Sequence, residues 1–133
     1  AALARVEKTR PSTVKQLTKL RDWLISEISA RVPSAIFTGH PRERLANNIS
    51  FCFPGIEGEA LVLRLSERGF ACSAGSACAS GSFAASHVLL ALGLEKRTAL
   101  ASLRVSLGKD TKLSHLESFV KVLVEEVEKL QSF

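Results

Sequence analysis

The chain has 133 residues, of which 46% are hydrophobic and 23% charged. That is enough apolar material for one compact domain; it excludes a disordered chain, and no apolar run approaches the roughly 20 residues a membrane-spanning helix needs. The formal net charge is +5, and the excess lies within residues 1–45, where nine Lys and Arg face four acids. Only Trp23 and Phe37 accompany these cations, too few aromatics for a base-stacking surface, so the charge reads as solvated helix surface and no nucleic-acid or membrane contact is expected. Three cysteines cannot complete a disulfide framework, and residues 1–10 lack the apolar run of a signal peptide. The expected setting is a reducing, cytoplasmic one.

In chain order, Val14, Leu17, Leu20, Leu24, Ile28 and Val32 recur at spacings of three and four. This predicts an amphipathic helix over about 12–32, opened by Pro11 with Ser12 or Thr13 near its N-cap and ended before Pro33. Ala35–Phe37 reads as a short strand stopped by a turn at 38–41. Asn48–Phe53 reads as a second strand, with Ile49, Phe51 and Phe53 on one face and Ser50 and Cys52 on the other. Glu57–Arg68 is predicted as a helix with acids in its first turn and Gly69 at C′, and Phe70–Cys72 as a brief strand. Residues 73–82 (SAGSACASGS) hold nothing larger than cysteine and no charge, which predicts a mobile loop. Two short helices follow at 86–92 and 95–101. Ser102–Leu107 then alternates Leu103, Val105 and Leu107 with Arg104 and Ser106, a strand on which Arg104 faces away from the apolar side. A second long helix over about 112–131, capped near Asp110 or Thr111, closes the chain. The order predicts a single α+β domain, a small, mostly antiparallel sheet with two long helices packed on it.

Cys78 sits within the small-residue loop, where no large side chain blocks approach to its thiol. Reactivity would require a positive charge or base from elsewhere, because its neighbours supply none. Cys52 and Cys72 read as packing residues. A Cys72–Cys78 disulfide is geometrically feasible but unfavoured in a reducing compartment, and the Cys and His spacings predict no zinc site. Arg104 is a lone arginine in an apolar strand. Its planar fork suits a bound carboxylate or, alternatively, an ion pair with Glu57 or Glu59. His40 and His115 are expected in solvent, and His87 lies beside the loop.

These residues resemble those of cysteine desulfurases of the NifS/IscS type. The likeness runs in order through Asn48-Ile49-Ser50-Phe51, Glu57-Gly58-Glu59-Ala60-Leu61, Cys72-Ser73-Ala74-Gly75-Ser76-Ala77-Cys78, Ser86-His87-Val88-Leu89, Ala91-Leu92-Gly93-Leu94 and Ser102-Leu103-Arg104-Val105-Ser106-Leu107-Gly108. It implies the small C-terminal domain of a pyridoxal-phosphate-dependent, aminotransferase-like fold (fold type I). It also implies that Arg104 and Asn48 bind the substrate carboxylate, that Ser73, Gly75, Ser76 and Ala77 belong to the mobile loop, and that Cys78 takes sulfur from L-cysteine as a persulfide, releasing L-alanine. Pyridoxal phosphate would serve as electron sink while the loop delivers sulfur. The resemblance further implies a homodimer when complete and an iron–sulfur scaffold protein or tRNA-thiolation enzyme as acceptor. It leaves open a transient iron–sulfur ligand role for Cys78.

Family members are much longer. Their cofactor lysine, the histidine stacked on the cofactor ring and the aspartate on its nitrogen lie in an N-terminal domain with no counterpart here. Neither Lys8 nor Lys15 has the motif of the cofactor lysine, so no residue of this chain is assigned to cofactor binding. The chain alone is expected to be inactive, needing a cofactor-bearing domain or chain as partner, whether it is a fragment, a cleavage product or one subunit of a split enzyme. A non-enzymatic sulfur-relay or docking domain carrying a persulfide on Cys78 is the alternative.

Overall fold

The computed structural model describes residues 2–75 and 84–132. Three strands, β1 (Ile36–Phe37), β2 (Asn48–Cys52) and β3 (Ser102–Ser106), form one antiparallel sheet in the order β1-β2-β3. Register sets Ile49 against Val105, Ser50 against Arg104 and Cys52 against Ser102. Because side chains alternate across a pleated sheet, Ile49, Phe51, Leu103 and Val105 share one face while Asn48, Ser50, Cys52, Ser102, Arg104 and Ser106 share the other. The fold is α+β, as expected.

The apolar face is covered by α1 (Ala2–Arg31), α2 (Gly58–Glu67) and α5 (Leu113–Gln131). Leu24, Ile28, Leu61, Leu65, Phe119, Val120 and Leu123 meet Ile49, Phe51 and Leu103 there in one core. Gln16 Nε2 donates to Thr111 O at 3.5 Å and Gln131 Nε2 to Ser34 Oγ at 3.4 Å, so α1 and α5 run side by side in the same direction. On the opposite face α3 (His87–Ala91) and α4 (Lys96–Leu100) cover only one end of the sheet, where Leu89 and Ala99 enclose the buried Cys52. Cys52 thus packs as a small apolar residue, back to back with the main core. The rest of that face is uncovered by any helix among the described residues.

The elements depart from the sequence pattern in three places. Helix α1 begins at Ala2 and passes through Pro11. Good helix formers precede the proline, Arg10 pairs with Glu7 at 2.9 Å, Ser12 Oγ donates to Thr9 O at 2.8 Å, and the exposed ring meets solvent. The proline therefore removes one internal N–H without ending the helix. Phe70–Cys72 is not a strand. Phe70 stands edge-on to Phe119 at 5.4 Å, and pairing occurs only at an isolated bridge between Ser73 and Arg104. The cap of α5 is Lys112, not Asp110 or Thr111. Thr111 Oγ1 is engaged by the Gly108 N–H at 3.0 Å, and it is His115 Nδ1 that takes the Lys112 N–H, at 3.4 Å.

Candidate functional site

Strand β3 turns Arg104 away from the core because Leu103 and Val105 occupy the inward positions. The Arg104 side chain is exposed and makes no ion pair or hydrogen bond among the described residues, so the Glu57 and Glu59 pairing is absent. Its backbone is well held. Arg104 N donates to Ser73 O at 2.7 Å and Ser73 N to Arg104 O at 3.1 Å. Two residues on, Gly75 N donates to the buried Ser102 Oγ at 3.0 Å. A side chain at Gly75 would lie 3.1 Å from that oxygen, so the close approach favours glycine. The start of the loop is thus laced to β3 on the outer side of Arg104.

The uncovered face forms a cleft of about 490 Å³. Arg104, Asn48, Ser50 and Ser102 form its floor, Gly75 and Ser86–Leu89 lie on one side, and Thr38, Gly39, His40 and Arg44 lie on the other. The structure therefore brings together Arg104, Asn48 and Gly75 from the sequence-derived set, with Ser73 bonded to Arg104. Cys78, Ser76 and Ala77 lie outside the described residues. His87 lines the cleft as the first residue of α3, and His40 lines it too.

Sequence reasoning missed Arg44 and the polarity of this wall. The half-buried Arg44 lies with Cζ 4.4 Å from the Phe37 ring centroid. Burial and then the nearby Arg21 cation lower its pKa, and Asp22 opposes them. Its Nε donates to Asn48 O at 3.1 Å, and its Nη1 to Thr38 O at 3.2 Å and His40 O at 3.4 Å. Nη2 donates to Asn48 Oδ1 at 3.4 Å. His40 Nδ1 accepts the N–H groups of Arg42 at 3.2 Å and Glu43 at 2.8 Å, which leaves the proton of the neutral ring on Nε2. Thr38 and Ser50 join at 2.6 Å through their hydroxyls. No pattern in the sequence flags these contacts, because Arg44 looks like one more cation of the basic N-terminal third.

The thiols behave as packing residues. Burial pushes both Cys52 and Cys72 up to about 11, so each stays protonated at neutral pH. Both are free. No helix among the described residues is long and apolar enough to cross a membrane.

The fold, a three-stranded antiparallel sheet with long helices packed on it, matches those of NifS-like proteins. The chain superimposes on one solved NifS-like protein with a TM-score of 0.78 at 27% identity, covering 92% of this chain and 30% of that one. A second, the NifS-like protein from Rickettsia africae ESF-5, gives 0.77 at 20% identity. The model of the class-V aminotransferases matches residues 1–119, and the chain belongs to that family. It is 40% identical over 131 residues to the cysteine desulfurase IscS of Methanosarcina thermophila, and 40% identical over 125 residues to that of Clostridium botulinum strain Hall. The alignments cover 98% and 92% of this chain but 31% of each relative. The chain is thus a partial NifS/IscS-type sequence spanning about a third of the length of these curated relatives.

Pyridoxal-phosphate dependence is implied for the family, and holding that cofactor as an imine requires a lysine amine. Among the described residues no lysine lines the cleft, and its cations include Arg44 and Arg104, whose guanidinium groups do not form the imine a lysine amine would. The cleft residues do not fit the role of cofactor holder.

Proposed function

We propose that this chain is the substrate-carboxylate and sulfur-accepting part of a cysteine desulfurase, completed by a cofactor-bearing domain outside these 133 residues. The observation that carries the reading is Arg104, a guanidinium without a protein partner among the described residues, exposed on the floor of a cleft. An arginine fork in that state suits a bidentate carboxylate. The 40% identity to cysteine desulfurases supports cysteine as the amino acid. Cys78 accepts its sulfur as a persulfide, with alanine released, and passes it to an iron–sulfur scaffold protein or a tRNA-thiolation enzyme. The complete enzyme is a cytoplasmic homodimer, and this chain by itself is inactive.

The test is reconstitution with the cofactor-bearing part of a relative. Alanine and persulfide should form from L-cysteine only in the combined sample. Cys78→Ala should abolish both while leaving the cofactor's visible absorbance intact, and Arg104→Ala should raise KM for cysteine at least tenfold. Persulfide formation by Cys78→Ala would refute the role of Cys78, and an unchanged KM in Arg104→Ala would refute the role of Arg104.

A further inference from the structure

The Arg44 guanidinium presents donors only and no acceptor. The Asn48 side-chain atom it meets at 3.4 Å is therefore the amide oxygen, since a flipped amide would set N–H against N–H. With the oxygen so engaged, the two hydrogens on Asn48 Nδ2 have no partner among the described residues. Asn48 pairs with Ser106 and Ser50 with Arg104. Asn48 and Arg104 are therefore diagonal neighbours on the same sheet face, about 7–8 Å apart at the backbone, within reach of long side chains. The other three Arg44 contacts go to the backbone carbonyls of Thr38, His40 and Asn48, which bracket the segment that walls the cleft.

We propose that Arg44 is a positioning residue that fixes the Asn48 amide with its N–H₂ group toward the cleft, so that Asn48 and Arg104 together present donors to one carboxylate. This rests on the reading above that the cleft receives a carboxylate. Asn48 is already expected at that subsite from the resemblance; what is added is that its donor orientation depends on Arg44, a residue that does not touch the ligand. An aspartate at position 48 distinguishes it from a purely structural bond. Asn48→Asp pairs a carboxylate with Arg44 and keeps the bracket, yet removes both donors and sets a negative charge beside Arg104.

The experiment titrates the ¹⁵N-labelled chain with propionate and, separately, with L-cysteine, following the side-chain resonances of Asn48 and Arg104. In the wild type both sets should shift together on binding. Asn48→Asp should melt no lower than the wild type and bind propionate at least tenfold more weakly. Arg44→Met should weaken binding several-fold, with part of the loss restored by Arg44→Lys. Wild-type propionate affinity in Asn48→Asp, with binding abolished in Arg104→Ala, would overturn this inference and leave the Arg104 reading standing. No binding to the wild type would overturn both. Unmoved Asn48 side-chain resonances at saturation would overturn the inference alone.

Discussion

Gly58 opens α2 directly over the turn that leads into β3. A Cβ built there would lie 2.6 Å from Ser102 O, 2.8 Å from Leu100 O and 3.1 Å from Ser102 N. All three are backbone atoms, and the residue between them is tied down because Ala101 O accepts the Phe53 N–H at 2.8 Å. Two effects of Gly58→Ala therefore oppose each other. Alanine in a helix gains up to about 1 kcal/mol over glycine, less in an opening turn. Overpacking against a fixed backbone costs about 1–3 kcal/mol, and two contacts well inside ordinary van der Waals range place this site at the upper end. The net expectation is a loss of about 1–2 kcal/mol, or roughly 3–8 °C in melting temperature for a domain of this size. Urea unfolding followed by far-ultraviolet circular dichroism and by Trp23 fluorescence measures it, with the midpoint falling at constant slope. A midpoint unchanged or raised would show that helix propensity outweighs the contact and would refute the reasoning. Gly69 is the control. It has a φ of +86° and nothing within 4 Å of a built Cβ, so Gly69→Ala costs about 1–2 kcal/mol through backbone conformation alone. Asparagine should recover part of that loss at 69 and make matters worse at 58.

Glu126 is buried in α5 and is met by Lys129 Nζ at 2.7 Å, Arg68 Nη1 at 3.0 Å and Arg64 Nη1 at 3.8 Å. The Lys129 hydrogen bond is the main cause that lowers its pKa, with burial opposing and the three cations adding to the shift. A carboxylate held below its unfolded value stabilises the fold above that value and loses the contribution as pH falls through the folded pKa. Glu126→Gln should therefore cost about 1–3 kcal/mol at pH 7, a difference that shrinks in urea unfolding series carried below about pH 4.5. A gap independent of pH would refute the ionic account. In a Cys78→Ser chain, the two thiols near 11 should react with a chromogenic disulfide at pH 8 about a hundredfold more slowly than in the urea-unfolded chain. Reactivity should keep rising with pH toward 11, and a plateau near pH 9 would contradict the burial argument.

Much of the fold was legible because its signals are local. The spacing of Leu17, Leu24 and Ile28 marked the buried stripe of α1, and Gly69 ended α2 where a left-handed residue was required. The errors lie where local signals compete. Pro11 is a good helix opener, yet the residues before it are good helix formers and nothing nearby stops them. Thr111 and Asp110 are good caps, but the Gly108 turn had a closer use for the threonine hydroxyl. In the site, Arg104 was legible as an outward arginine between two inward apolar residues, and Asn48 only through the resemblance. Arg44 was not legible at all.

The alternation of Ile49, Phe51, Leu103 and Val105 with Asn48, Ser50 and Arg104 determined by itself which side of the sheet carries polar chemistry, because a strand has a period of two whatever surrounds it. Tertiary structure alone decided what that side contains. Among the described residues the cleft is open because α3 and α4 cover only the Cys52 end of that sheet face, with α3 forming one side of the cleft. The donor polarity of its wall exists because Arg44, half-buried on Phe37, meets acceptors in three residues of a folded-back segment. An amide has no preferred face until a partner takes one of its ends, and that partner came from the packing of the chain.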